Sequence, residues 1–228
     1  MPFFMGCNET KYAWMDEGFA TFTTNLIKNV LVKTRTSRIR TDWWNTAIYS
    51  GMDVPIYVYS NLFKESMAYY ANSFLKAGLF LQLLSDYLGE DFLISFIQEF
   101  MMRWNGKHPM PYDFFFTLNE ESGQNLNWLI KPCFFEYGYP DLAIGSVNQV
   151  EGEYSIVIEK KGNYPVPIDL EILFEDSTAT THHEKVSVWK DNNKTHTIVI
   201  QIDKPILQIK LKSEFFPDAV KEDNNYQF

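Results

Sequence analysis

The chain has 228 residues, and 46% of them are hydrophobic and 17% aromatic, which is enough apolar material for one sizeable core or two modest ones. Its formal net charge of -9 repels phosphate backbones. No cluster of Lys and Arg with interleaved aromatic residues offsets that charge, so the composition argues against nucleic-acid binding. We predict no membrane span, because no apolar run is long enough, and the absence of a recognisable signal peptide leaves the cellular compartment open.

The hydrophobic residues repeat with a helical period as far as about Pro140. Phe19, Phe22 and Leu26 follow one another at i+3 and i+4, which predicts a helix that begins near Trp14 and buries one face. This period fades between residues 34 and 64, where we expect an irregular aromatic segment. It then returns in four predicted helices, over residues 65–87 with a cap at Gly89, 90–104, 111–121 and 126–137. We expect Pro132 to interrupt or restart the last of them.

After Pro140 the hydrophobic period changes to two, which is typical of strands with one buried face. Several short strands at close spacing predict a small antiparallel β-sandwich. We therefore divide the chain into a helical domain over residues 1–145 and a sandwich over residues 146–228. The polar, charged tail over residues 215–228 we expect to be loose at its end. The predicted strands cover residues 154–159, 168–174, 185–189, 195–202 and 206–212.

The segment Trp14-Met15-Asp16-Glu17-Gly18-Phe19-Ala20 carries the clearest chemical signal. It resembles the Trp-x-(Asn/Asp)-Glu-Gly-(Phe/Leu)-Ala motif of the gluzincin zinc metallopeptidases related to aminopeptidase N. The resemblance implies that Glu17 is the third zinc ligand. In that family the two other ligands are the imidazoles of a His-Glu-x-x-His helix, whose Glu is the general base.

This sequence contains no His-Glu-x-x-His, and the family spacing places its second His three positions before Met1. The resemblance thus implies zinc in the complete enzyme, whereas we expect none bound to this chain. The four histidines do not replace the missing pair, because none stands at i,i+4 from another, and we expect them to be ordinary surface residues. They are His108, His182, His183 and His196.

The resemblance continues in family order through the segments 88–92, 108–115 and 127–140. It implies an α+β multidomain fold, in which the later half of a thermolysin-like helical catalytic domain precedes a small antiparallel β-sandwich. The implied activity of the complete enzyme is removal of N-terminal residues from a peptide substrate.

Two departures from the family pattern concern the chemistry. The Gly-x-Met-Glu-Asn segment, which holds the free amine of the substrate in this family, does not occur in the sequence. Counting back from Gly89, the family's catalytic Tyr falls on Phe74, which has no hydroxyl. Tyr70 lies one helical turn earlier on the same face and is our candidate substitute, provided that the helix is shifted by a turn.

We therefore interpret the chain as the C-terminal portion of a zinc aminopeptidase that is inactive in isolation. The alternative is a non-catalytic, stand-alone module for peptide binding or assembly on the same scaffold, so the status of the chain as an enzyme stays open. The surface that the His-Glu-x-x-His helix would cover includes Met1, Phe3, Phe4, Met5 and parts of residues 19–30 and 74–84. Because large apolar patches seldom stay open, we expect self-association there or a cover by rearranged N-terminal residues.

Overall fold

The computed structural model describes residues 5–32, 41–212 and 215–228, with the side chains of residues 29–32, 41 and 42 left out. Contacts divide the chain into two compact units, Met1–Gly138 and Tyr139–Phe228. The first strand begins at Leu142, ahead of the boundary that we predict between residues 145 and 146. No helix of the described residues is long and apolar enough to cross a membrane.

The first unit is helical. Its described helices are α1 (Glu9–Tyr12), α2 (Trp14–Val32), α3 (Thr41–Tyr49), α4 (Ser66–Tyr70), α5 (Ala77–Leu88), α6 (Glu90–Arg103), α7 (Pro111–Ser122) and α8 (Asn127–Phe134), with a 3₁₀ turn at Ser60–Leu62 and a π-helix at Ala71–Lys76.

The predicted helices form, but a π-helix divides the one over residues 65–87, and the last one ends at Phe134 without a break at Pro132. Several helix ends follow the expected chemistry. Gly89 ends α5 with φ +102°, a backbone conformation that side chains other than glycine rarely adopt. Pro111 begins α7, where its missing N–H costs nothing, and the Asp113 carboxylate accepts a hydrogen bond from Met110 N–H at 2.7 Å. Pro132 lies inside α8 without ending it.

The aromatic segment between residues 34 and 64 differs from our expectation. Residues 34–40 lie outside the described residues, but Thr41–Tyr49 form helix α3 rather than irregular chain. The helix buries Trp44 completely, and the Trp44 indole N–H donates to Asp53 Oδ1 at 3.0 Å. The burial of Trp44 against the rest of the unit stabilises this helix, although the sequence of the segment has only a weak helical pattern.

The second unit is a β-sandwich of two antiparallel sheets, in strand orders β1-β2-β5 and β4-β3-β6-β7. In β2 and β3, buried and half-exposed residues alternate, as the period of two predicts. The α+β fold class, a helical domain followed by a small β-sandwich, is therefore confirmed. The strands are β1 (Leu142–Val150), β2 (Glu153–Lys160), β3 (Ile168–Phe174), β4 (Ala179–Glu184), β5 (Thr195–Gln201), β6 (Ile206–Leu211) and β7 (Asn225–Gln227).

Two predictions for the sandwich are wrong. Residues 185–189 are not a strand, because Val186–Asn192 form 3₁₀ turns that bury Trp189, whose indole N–H donates to the Val166 carbonyl at 2.7 Å. The tail is not loose, since β7 pairs antiparallel with β6 and places Tyr226 opposite Ile209. In both places a contact with a distant part of the chain decides the local structure.

Candidate functional site

Glu17 lies near the start of α2, where the chain turns from α1 into α2 at Ala13. Ser60 fixes this turn, because its hydroxyl accepts a hydrogen bond from Ala13 N–H at 2.9 Å and donates one to the Lys11 carbonyl at 3.3 Å. The Glu17 side chain is half-buried. Burial raises the pKa of Glu17, and the neighbouring carboxylates of Asp16 and Glu9 raise it further. A bound cation would relieve this crowding of negative charge.

Helix α2 packs closely against the π-helix and α5. Two glycines make this approach possible. A Cβ added at Gly18 would lie 2.5 Å from Ala77 Cβ, and one at Gly78 would lie 2.7 Å from Thr21 Cγ2. The Gly in the Asp-Glu-Gly segment is thus a packing requirement of the helix pair.

A π-helix at Ala71–Lys76 directly follows the two adjacent tyrosines, Tyr69 and Tyr70. A π turn uses i→i+5 hydrogen bonds and is wider than an α turn, so it shifts the faces of the helix on either side of it. Burial is the largest cause of the raised pKa of Tyr69, followed by the carboxylates of Glu17, Glu9 and Asp16. The Tyr69 hydroxyl is therefore within electrostatic reach of Glu17.

Tyr70, our candidate from the sequence, has other neighbours. Its ring stacks on Phe74, with 4.8 Å between the ring centroids, and meets Trp43 edge-on at 4.9 Å. Phe74 also contacts the ring of Tyr69 at 5.9 Å. Helical spacing did not single out Tyr69, because a period of 3.6 residues contains no sign of a π turn. The one available signal was the pair of adjacent tyrosines.

A buried ion pair anchors the end of the π-helix. Lys76 is 1% exposed, and its ammonium donates to Asp53 Oδ1 at 2.9 Å and to the Val54 carbonyl at 2.7 Å. Burial lowers the pKa of Lys76, and the Asp53 carboxylate opposes that effect. At the start of the π-helix, the Asn72 amide donates to the Ala68 carbonyl at 2.7 Å. Side-chain hydrogen bonds thus hold both ends of this irregular turn.

A cleft of about 600 Å³ opens beside this region, lined by residues 7–12 and 108–110. Burial raises the pKa of Cys7 to about 12, helped by the carboxylates of Asp16, Glu9 and Glu17, so its thiol is protonated at neutral pH. His108 packs against Gly6, where an added Cβ would lie 2.6 Å from the imidazole ring. The cleft is therefore lined by polar groups, and the Glu17 carboxylate acts on the pKa of one of them, Cys7.

Glu17 is the residue that we expect to be the third ligand of the implied zinc site. Within the described ranges, no group of three or more His, Cys, Asp or Glu side chains could hold a metal ion. His182 and His183 pair with Glu184 and Asp169 in the sandwich, at 2.9 Å and 2.7 Å. A catalytic zinc needs three protein ligands, so the residues present do not form a complete site for it.

Comparison with known proteins supports the fold. No protein-family model and no curated protein sequence matches the chain. Among solved structures, the chain resembles the crystal structure of Legionella pneumophila aminopeptidase A in complex with aspartic acid, with a TM-score of 0.63 and 15% sequence identity. The match covers 95% of this chain and 24% of that chain. The chain thus has an aminopeptidase-like fold and spans about a quarter of that enzyme's length.

Proposed function

We propose that the chain is the C-terminal portion of a zinc-dependent aminopeptidase that removes N-terminal residues from peptides, with Glu17 as the third zinc ligand. The observation that carries this proposal is the position of Glu17, half-buried and crowded by carboxylates on α2 of an aminopeptidase-like fold. The isolated chain supplies neither imidazole ligand, so we expect it to bind no stoichiometric zinc and to show no turnover.

Two tyrosines compete for the role of the hydroxyl that steadies the substrate oxyanion. Tyr70 is the candidate from helical spacing, and Tyr69 is favoured because the Glu17 carboxylate contributes to its raised pKa. The π-helix supports Tyr69, because it supplies the kind of register shift that moves a tyrosine away from the position of Phe74. A hydroxyl in this place donates a hydrogen bond to the charge that develops in the transition state.

The test restores what the chain lacks. A segment carrying Gly-x-Met-Glu-Asn and His-Glu-x-x-His, joined before Met1 at the family spacing, should give one zinc per chain by elemental analysis. Glu17→Ala should abolish that zinc, because one of three ligands is gone. If zinc does not bind to the extended protein, or binds equally in Glu17→Ala, the assignment of Glu17 is wrong.

The same protein separates the tyrosines by hydrolysis of aminoacyl anilides. We expect Tyr69→Phe to lower kcat by about 10² to 10³, the usual cost of one oxyanion donor, and Tyr70→Phe to have a much smaller effect. The opposite ranking would assign the role to Tyr70. A rise of about 10² in Phe74→Tyr with no loss in either Tyr→Phe variant would show that neither tyrosine replaces the family residue.

The binding-module alternative is favoured by a separate observation, an exposed aromatic surface on the helical unit. The ring of Tyr57 lies 4.7 Å from Phe135 and 6.1 Å from Tyr112, and Tyr112 lies 5.8 Å from Phe116. Phe116 is 67% exposed. If the isolated chain binds peptides without zinc in calorimetry, and Tyr112→Ser with Phe116→Ser abolishes that binding, this alternative replaces the peptidase proposal.

A further inference from the structure

A cluster of acidic and amide side chains lies where the sandwich unit begins. Asp218 is the member whose hydrogen bonds are complete. Its carboxylate accepts from Leu142 N–H and from Val220 N–H, each at 3.1 Å, and from the side chain of Asn224. These bonds join the start of β1 to the C-terminal segment.

The neighbours of Asp218, unlike Asp218 itself, have side-chain oxygens without hydrogen-bond partners among the described residues. Asp141 Oδ1, Asp223 Oδ1 and Asn224 Oδ1 are buried and have no hydrogen-bond partner among the described residues. Asp141 is 8% exposed and Asn224 is 7% exposed. Buried oxygens of this kind are normally paired, and an unpaired one points to a water molecule or an ion.

The carboxylates of the cluster also repel one another. Burial raises the pKa of Asp141 to about 6, and the carboxylates of Asp218 and Asp223 raise it further. Lys161 opposes this effect, but its ammonium is already paired with Glu159. Two carboxylate oxygens and one amide oxygen, on residues that neighbour Asp218, are thus left without a hydrogen-bond partner among the described residues.

We propose that Asp141, Asp223 and Asn224 bind a hard divalent cation of the calcium class. Ca²⁺ prefers carboxylate, amide and carbonyl oxygens, takes six to eight of them, and tolerates irregular geometry, whereas Mg²⁺ demands a near-ideal octahedron. The three free oxygens come from two acids and one amide, which is compatible with the absence, among the described residues, of a metal-holding group of three acid, His or Cys side chains. Backbone carbonyls and water complete the coordination.

The cation would tie together two parts of the sandwich that are distant in sequence. Asp141 directly precedes β1, while the backbone carbonyls of Asp223 and Asn224 accept hydrogen bonds from Ile144 and Leu211, at 3.0 Å and 2.9 Å. Binding therefore stabilises the closure of β1 and β6 by the C-terminal segment.

Calorimetry of the full chain with CaCl₂ measures the binding directly, and we expect one ion per chain. Amide exchange of β1 measures its effect. For a Kd of about 10⁻⁴ to 10⁻³ M, about 10 mM CaCl₂ should slow exchange of β1 about 10- to 100-fold relative to a chelator. MgCl₂ should act more weakly, and NaCl of equal ionic strength should have little effect.

Asp141→Asn and Asp223→Asn should each remove most of the calcium effect. Glu222→Gln is the matched control, because it deletes one exposed negative charge next to Asp223 without touching a free oxygen, and it should keep the effect. The proposal is overturned if calorimetry detects no binding, if NaCl or MgCl₂ slows exchange as strongly as CaCl₂, or if Glu222→Gln loses the effect to the same extent as the two Asp variants.

Discussion

Gly18 of α2 lies directly against Ala77 of α5, so that a Cβ on residue 18 would stand 2.5 Å from Ala77 Cβ. Glu17 immediately precedes Gly18, and the π-helix that follows Tyr70 ends immediately before Ala77. The contact therefore sets the distance between the helix that carries Glu17 and the segment that carries Tyr69. The packing of these helices therefore also determines the geometry of the candidate site.

The first prediction tests this contact. Gly18→Ala should lower the free energy of unfolding of the helical unit, because overpacking costs about 1 to 3 kcal/mol and outweighs the gain of about 1 kcal/mol in helix propensity. The double variant Gly18→Ala with Ala77→Gly moves the methyl group to the other helix and should recover most of the loss. Urea unfolding measures both, and a single variant as stable as the wild type would contradict the close packing.

The second prediction concerns the buried pair of Lys76 and Asp53. Asp53→Ala leaves an unpaired ammonium in the core and should cost about 3 to 5 kcal/mol in urea unfolding. The double variant with Lys76→Met should cost less than the sum of the single variants, since each single change removes the same interaction.

The exposed pair of Lys131 and Glu136 offers a matched control for the buried one. Its side chains are 73% and 37% exposed, so Lys131→Met should cost at most about 1 kcal/mol. Equal losses at the exposed and buried pairs would show that Lys76 and Asp53 do not anchor the π-helix.

The third prediction tests the proximity of Tyr69 to Glu17. The pKa of Tyr69 should lie above its ordinary value, and Glu17→Gln should lower it, because a neighbouring carboxylate disfavours the phenolate. Part of the shift should remain, since burial is its largest cause. Titration by NMR with labelled tyrosine measures both values. Burial and other tyrosines, rather than carboxylates, act on the pKa of Tyr57, so it should not respond to Glu17→Gln.

The fourth prediction concerns the segment of the sandwich that we expected to be a strand. Trp189→Phe removes the indole N–H that bonds the buried Val166 carbonyl and should cost about 1 to 3 kcal/mol. Faster amide exchange in β3, which begins two residues after Val166, is the measurement. Unchanged exchange there would mean that the hydrogen bond does not hold the 3₁₀ turns in place.

The fifth prediction tests self-association through the surface that we assign to the absent helix. Met1, Phe3 and Phe4 lie outside the described residues, and Met5 is buried rather than exposed. On α2, however, Ile27 is 57% exposed. Sedimentation at micromolar concentrations should show a dimer or a larger species that Ile27→Asp weakens. Phe116→Ser changes an exposed residue on a different helix, α7, which we do not assign to that surface, and should not weaken it. A monomer at all concentrations would contradict self-association through this surface.

The sequence alone determined the elements whose stability comes from their own hydrophobic period. Phe19 and Phe22 repeat on one face of α2, and the alternation in β2 and β3 predicts strands that each bury one side. The change of period also separates a helical part from a strand part. In these elements the local pattern and the final burial agree, so the pattern alone was enough to predict them.

Only the tertiary structure decided the features that depend on partners distant in sequence. The π-helix is fixed by the bond of Lys76 to Asp53, the turn at Trp189 by the Val166 carbonyl, and β7 by its pairing with β6. None of these partners is visible in a period of 3.6 or 2 residues. The choice between Tyr69 and Tyr70 also depends on tertiary structure, because a π turn shifts the helix faces on either side of it and the Glu17 carboxylate contributes to the raised pKa of Tyr69.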